Sequence, residues 1–449
     1  MAYARLVDYL TDYQCVFKNK TKTFFDKAQR YTEGIIQSTN RNIEQVCDCL
    51  VASDYFQMQH FITNSNWDHQ AAVDIAAQQT SKALPKRKLT ALVIDETGTV
   101  KKGDKSVGVG WQYCGNVGKT ANSQVAVMAC LSNGDFASLV DARLYLPKDW
   151  CNDSARCEMA GIPEEHRCFK TKLEIAYQMI LHQRAIGTSF DFISADGYYG
   201  NDVSFAGKID ALGLLYMLDI HSDQPIYLEK PDLYIPERKN KRGRIPRRLK
   251  ATTENMKVED YCQRLDAGQW QRIKVRNTAK GTLNAFYHFK EVYVWNKQEN
   301  TIEPRLLVIR KDKTKTGSEI KYSFTNAHPV QYELKTIAYM QAERFFVEHC
   351  IKESKSILGM NQFQTRKWLA WYHQIALNIM TMCFMLKEKL LNFEFLPLLS
   401  ARDIREWLSF ILSRQLDEND MLELLYKRHL RRQNDINRYY SNNLINVSK

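Results

Sequence analysis

Three acids, far apart in the chain, stand where catalytic carboxylates would be wanted. The apolar run Ala91–Ile94 ends on Asp95, and a second strand-like run, Phe190–Ala195, ends on Asp196. A late segment, Arg344 to Lys355, carries Glu348 between two cations. Two divalent ions about 4 Å apart can activate an attacking oxygen and stabilise a leaving one in an in-line displacement. Magnesium prefers carboxylate oxygens plus retained waters, so two aspartates and a glutamate suit it. Without a cation, three clustered carboxylates oppose one another's ionisation. The pattern therefore points to chemistry on a phosphodiester backbone. Each acid also has a plainer reading. A strand-end aspartate often starts a turn or caps a helix, and Arg344 with Glu348 is also an ordinary i, i+4 surface pair.

Helical geometry narrows the choice of glutamate. At about 100° per residue, Arg344, Glu348 and Lys355 fall on a stripe roughly 40° wide, with Glu353 opposite and Glu343 about 100° aside. If the stripe faces the site, Glu348 is the acid. Arg344 and Lys355 then contact phosphates or orient the carboxylate.

The elements that must position these residues are legible from periodicity. Residues 1–88 read as helices, from apolar spacings such as Leu6, Val7 and Leu10, with Asp54 and Asp68 among the N-cap candidates. This region is a candidate DNA-binding bundle. From Leu89 the period shortens to that of strands, with Asn133 and Gly134 marking a hairpin turn. Helix then alternates with strand, from Lys172 to Ile220. Three consecutive strands followed by helix–strand alternation predict an α/β mixed sheet of the ribonuclease-H-like order over residues 89–224. Residues 225–327 read as a basic linker and β-rich insert, 328–385 as the last part of the core, and 386–449 as a helical C-terminal region.

Composition bounds the partners. The chain has 449 residues, 44% hydrophobic and 25% charged, an ordinary globular balance with room for roughly two to four domains. A net charge of +12 favours a polyanion. The segment 238–250 concentrates that charge, and Arg238, Lys239, Lys241, Arg242, Arg244, Arg247 and Arg248 are expected to follow backbone phosphate. No uninterrupted apolar run reaches transmembrane length, since Asn378 and Thr381 break the richest stretch, Ile375 to Leu386. The N-terminus lacks the form of a secretory signal, so a cytoplasmic, nucleoid-associated protein is expected. The eleven cysteines show no framework spacing, which fits reduced thiols. Cys151, Cys157, His166 and Cys168 match no common zinc spacing and read as loop residues.

Several blocks together resemble the DDE transposases of bacterial insertion sequences, the IS701 group within the IS4-like superfamily. They are Leu92–Gly98 with Lys101–Gly103, Ser106–Val109, Tyr113–Lys119, Asn122–Gln124, Arg143–Trp150, Gly161–Glu164 and Ala195–Gly200. In that superfamily an arginine precedes the catalytic glutamate by four residues and a lysine follows by seven, the places held here by Arg344 and Lys355. The tyrosine expected three residues before the arginine is Gln341, with Tyr339 nearby. The resemblance runs over roughly residues 50–385.

It implies Asp95, Asp196 and Glu348 as catalytic residues and ligands of two magnesium ions, with manganese the expected substitute. The implied reaction cuts DNA at terminal inverted repeats and joins the 3′-hydroxyl ends to target DNA. The implied partners are double-stranded DNA and, in the DNA complex, a second copy in a homodimer; no membrane or small-molecule substrate is expected. Lys119 joins the DNA-contact candidates. Tyr198 and Tyr199, with Trp111, are candidates to stack on an extruded base. Two competing readings are a catalytically silent DNA-binding protein and a ribonuclease-H-like nuclease without strand transfer.

Overall fold

The computed structural model describes residues 2–50, 54–86, 88–134, 136–237, 246–278, 281–314, 317–413 and 417–447. The chain begins with α1 (Ala2–Thr11), a short hairpin of β1 (Lys18–Asn19) and β2 (Lys22–Thr23), then α2 (Phe25–Gln37), α3 (Ile43–Asp48), α4 (Tyr55–Thr63) and α5 (His69–Ala83). Asp54 and Asp68 cap α4 and α5, accepting from the Gln57 and Ala71 N–H groups that a first turn leaves open. Helical periodicity does not announce the hairpin, whose strands are too short to carry a pattern.

The sheet is built from β3 (Ala91–Val100), β4 (Gly110–Cys114), β5 (Lys119–Ser132), β6 (Ala137–Leu144), β7 (Phe192–Ala195) and β8 (Leu215–Ile220). Strand β5 pairs antiparallel with β6 on one side and β3 on the other, whereas β3, β7 and β8 run parallel. Strand β4 pairs with the beginning of β5. The spatial order β6-β5-β3-β7-β8 is that of a ribonuclease-H-like sheet. Gly134 turns β5 into β6 at φ +86°, a conformation glycine takes without Cβ strain.

Helices α6 (Lys148–Cys151), α7 (Ser154–Met159), α8 (Lys172–Ala185), α9 (Gly197–Gly200) and α10 (Val203–Ala211) fill the connections. A capping box between Thr171 and Glu174 starts α8. Leu92, Ile94, Ala195 and Leu218 share an apolar layer with Ile175, Ile180 and Ile209 of α8 and α10. Val93, Met128 and Met217 belong to a separate layer. Side chains alternate along a strand, so these two sets face opposite sides of the sheet.

The insert contains β9 (Pro225–Ile226), β10 (Leu233–Tyr234), β11 (Lys250–Ala251), β12 (Met256–Lys257), α11 (Val258–Gln263), β13 (Gln271–Thr278), β14 (Gly281–Asn296), β15 (Thr301–Thr314) and β16 (Gly317–Thr325). Strands β13 to β16 form a meander, and β16 pairs antiparallel with β8. The result is one continuous ten-stranded sheet. The addition also covers the β8 edge, which would otherwise expose unpaired backbone groups. The apolar runs 285–289 and 292–295 lie on the single strand β14. Lys290 and Glu291 between them stay in the ladder, opposite Leu307 and Leu306.

The chain closes with α12 (Leu334–Ala342), α13 (Phe345–Leu358), α14 (Trp368–Leu391), α15 (Ala401–Ser413) and α16 (Glu418–Val447). By length and composition α14 is apolar enough to cross a membrane, which corrects the expectation from the interrupted run; 89% of its most apolar window is buried inside the protein. The N-terminal helices close around it. The Arg5 guanidinium grips Glu388 with two hydrogen bonds of 2.7 Å, and the Tyr31 hydroxyl donates to Gln374 at 2.7 Å. The Tyr9 hydroxyl donates to the Met380 carbonyl at 2.8 Å. Residues distant in sequence thus share one core, whose members run from Ala2 to Leu412.

The chain bends between α12 and α13 at Glu343 and Arg344. Glu343 is fully buried, accepting from the Ser132 hydroxyl at 2.6 Å and the Gly134 N–H at 2.7 Å. Burial pushes its carboxyl up to about 7, against the lowering effect of Ser132 and the Arg276 charge. The folded state then binds a proton that the unfolded chain releases near its ordinary 4.5. Stability is therefore expected to fall as pH rises from about 4.5 to about 7, by on the order of 3 kcal/mol from this group. Denaturant melts of wild type and Glu343→Gln over that range test it. An unchanged slope in the variant would assign the pH dependence to other groups.

Candidate active site

The parallel register brings the two aspartates together. Ile94 pairs with Ala195, and Ala195 with Leu218. One residue further on, Asp95, Asp196 and Asp219 stand level on three neighbouring strands. Asp196 directly follows β7 and Asp219 is the last but one residue of β8, whereas Asp95, expected to end its strand, lies in the middle of β3, which stays paired with β5 as far as Val100. Their predecessors Ile94, Ala195 and Leu218 all belong to the layer under α8 and α10. By alternation the three carboxylates project to the opposite side, over which α13 passes. Asp196 also caps α9, accepting from the Tyr198 N–H at 3.1 Å. Tight packing makes the arrangement possible. A Cβ on Gly200 would stand 1.9 Å from the Asp219 carbonyl oxygen.

Arg344 binds the acids into one network. Its Nε lies 2.7 Å from Asp219 Oδ2, its Nη2 2.8 Å from Glu348 Oε1, and its Nη1 3.6 Å from Asp95 Oδ2. Burial pushes the Asp95 carboxyl up to about 7; the Asp196 charge adds to that, and Arg344 opposes it. Burial first and Glu96 second raise Asp196. Asp219 is raised by burial and lowered by Arg344 and Ser323, with a net upward shift. Burial works against charge on Arg344, yet Asp219, Glu348 and Asp95 hold it above the ordinary guanidinium value.

Asp95, Asp196 and Glu348 line one open cavity of about 710 Å³, together with Lys352, Lys355, Tyr113 and Asn116. Lys355 donates to the Gly98 carbonyl at 3.0 Å, and burial brings its ammonium down to about 8. The stripe read from helical spacing is therefore the face that α13 turns to the acids. Arg344, expected either to contact phosphate or to orient the carboxylate, is engaged with the carboxylates.

Among the described residues no group of three His, Cys, Asp or Glu side chains is arranged to hold a metal ion. Glu348 is turned onto the guanidinium instead. The donor set still suits a hard divalent cation. It offers carboxylate oxygens only, with two aspartates held side by side on adjacent strands and both carboxyls raised.

The other candidates divide. Tyr198 is 44% exposed and the Lys172 ammonium lies 5.1 Å from its ring centre, whereas Tyr199 is fully buried. Tyr199 packs against Phe205 and donates to Glu96 at 3.2 Å, so it is a core residue and not a surface on which a base could stack. Trp111 is exposed on β4. Lys119, Arg247 and Arg248 are exposed, while Arg238, Lys239, Lys241, Arg242 and Arg244 lie outside the described residues. Cys157 is buried and its thiol donates to the Trp150 carbonyl at 3.0 Å; Cys168 is exposed and the His166 ring packs on Trp368.

Three participants escape a search for catalytic acids. Asp219 follows the apolar run Leu215–Leu218 much as Asp95 follows Ala91–Ile94, and the same rule applied to that run would have found it. Glu96 pairs with Lys172, a contact that joins β3 to α8 and has no sequence signal. Gln341 stands at the departure from the superfamily signature. Its amide donates to the Ser323 hydroxyl at 2.8 Å, and that hydroxyl donates to Asp219 Oδ1 at 2.6 Å.

A ribonuclease-H-like sheet with carboxylates gathered on its neighbouring central strands defines a class of nucleases and strand-processing enzymes. The chain belongs to the family described as DDE superfamily endonuclease, whose model matches residues 12–282. A probable transposase for insertion sequence element IS701, from Microchaete diplosiphon, is 32% identical over 170 residues, which are 37% of this chain and 40% of the relative. The match therefore spans under half of that relative's length. Among solved structures, a cryo-EM synaptic complex of piggyBac transposase with hairpin DNA aligns over 96% of this chain and 81% of that one, at TM-score 0.42 and 11% identity.

Proposed function

We propose that the protein is a DNA transposase that binds the terminal inverted repeats of its own element, cuts the phosphodiester and joins the freed 3′-hydroxyl ends to target DNA. The observation that carries this reading is the level placement of Asp95 and Asp196 beside a cavity that Glu348 and Lys355 also line. Asp95, Asp196 and Glu348 would hold two magnesium ions, with manganese as a substitute. When bound, such ions activate the attacking oxygen and stabilise the leaving one.

The chain's own residues do the rest. Lys352 and Lys355 stand on the cavity wall, where ammonium groups take phosphate oxygens. Lys355 is already partly desolvated, so its pairing with phosphate is strengthened. Arg344 holds the Glu348 carboxylate at 2.8 Å on the wall of the same cavity. Tyr198, exposed beside the acids, offers a ring face to an unpaired base. Arg247, Arg248 and Lys119 extend the basic surface along the DNA, and two copies together would hold the two element ends.

The test is incubation of purified protein with magnesium and DNA carrying the inverted repeats that bracket its reading frame. Cut ends bearing 3′-hydroxyls and joined products are expected. Cutting without joining would make the protein a nuclease. Binding without cutting would make it a silent DNA-binding protein.

A further inference from the structure

Asp219 stands level with the two aspartates, yet both of its oxygens are already committed. Oδ1 accepts from the Ser323 hydroxyl at 2.6 Å, and Oδ2 takes the Arg344 Nε at 2.7 Å. Ser323 is fully buried and is fixed in turn by Gln341, whose amide also reaches the Val308 carbonyl at 3.4 Å. The chain Gln341–Ser323–Asp219–Arg344 therefore ends on a guanidinium fork with two nitrogens left over. One reaches Glu348 at 2.8 Å and the other approaches Asp95 at 3.6 Å. Of the two aspartates it touches, Arg344 is held more closely by Asp219. Its grip on Asp95 is longer than a hydrogen bond.

We propose that Asp219 is a positioning residue that anchors Arg344, so that the guanidinium aims Glu348 at the site without settling onto Asp95. This rests on the reading of Asp95, Asp196 and Glu348 as a divalent-cation site. Without the anchor, Arg344 becomes a competing internal cation, moving onto the carboxylates that a metal needs.

Manganese titration calorimetry on the full chain tests this without DNA or turnover, with thermal melts alongside. Asp219→Asn is expected to weaken manganese binding about tenfold, because Arg344 then pairs with Asp95 and Glu348. Adding Arg344→Gln to that variant is expected to restore binding to within about threefold of wild type. Ser323→Ala, which loosens Asp219 and keeps its charge, should shift affinity in the same direction by a smaller factor. It also serves if Asp219→Asn does not fold.

A loss that persists in the double variant would make Asp219 a ligand and overturn the proposal. Unchanged manganese affinity with a lowered melting temperature would make it a purely structural residue, with the same consequence. If wild type binds no manganese and Asp95→Asn behaves identically, the cation-site reading itself fails, and the inference with it.

Discussion

Asp95→Asn is expected to reduce magnesium-dependent DNA cutting by about 1000-fold or more while leaving the fold intact. Loss of a ligand oxygen at a two-ion site removes several kcal/mol of stabilisation from the developing charge, and about 4 kcal/mol corresponds to that factor. The amide keeps nearly the same shape and can still accept from the Glu96 N–H, a hydrogen bond of 2.7 Å in the wild type. It also relieves the repulsion from Asp196 that helps to raise Asp95. The variant should therefore melt no earlier than wild type. Single-turnover cutting and a denaturant melt on the same preparation read both quantities. Cutting that survives in Asp95→Asn, and likewise in Asp196→Asn and Glu348→Gln, would remove the acids from the mechanism.

Gly200→Ala should do the reverse, losing stability and activity together. A methyl group there would lie 1.9 Å from the Asp219 carbonyl oxygen and 3.0 Å from the Leu218 Cβ. Backbone cannot rotate away as a flexible side chain can, so either α9 or the end of β8 must move. We expect a cost of about 3 kcal/mol, at the upper end for overpacking a dense interior. The shift should displace Asp196 at the start of α9 and Asp219 on β8, and cutting should fall about 100-fold. Gly268→Ala is the control, because nothing lies within 4 Å of its added methyl and no shift is required. Equal stability of the two variants would show that α9 does not press on β8 as described.

Asp219 also explains why Arg344 is worth more than a surface ion pair. Its side chain is 19% exposed and that of Asp219 18%, so both are largely withdrawn from water. Removing one partner of such a pair leaves the other uncompensated, the costly case for buried charge. Glu348, at 53% side-chain exposure, is the loose end of the network and the group free to turn toward a bound cation.

How much of this was legible from the chain alone follows from the range over which each signal acts. Alternation and helical spacing are local, so they marked Asp196 at the end of a strand and set Glu348, rather than Glu343 or Glu353, on the face that lines the cavity, but they ended at Asp95 a strand that runs on to Val100. The same local signals set out the α/β order and the β-rich insert. Partner choice across a sheet is not local. Nothing in β16 announces that it will pair with β8, which turns the insert into an extension of the catalytic sheet and places Ser323 on Asp219. Neighbouring tyrosines point to opposite surroundings, so burial alone separated Tyr198 from Tyr199. Helical periodicity described α14 and the N-terminal helices separately, while their packing depends on contacts such as Arg5 with Glu388. Sequence by itself determined which residues have the right chemistry and the right local face. Only the tertiary structure decided that a third aspartate stands level with the first two and that an arginine links it to Glu348 and Asp95, because register and long-range pairing are set by the whole fold.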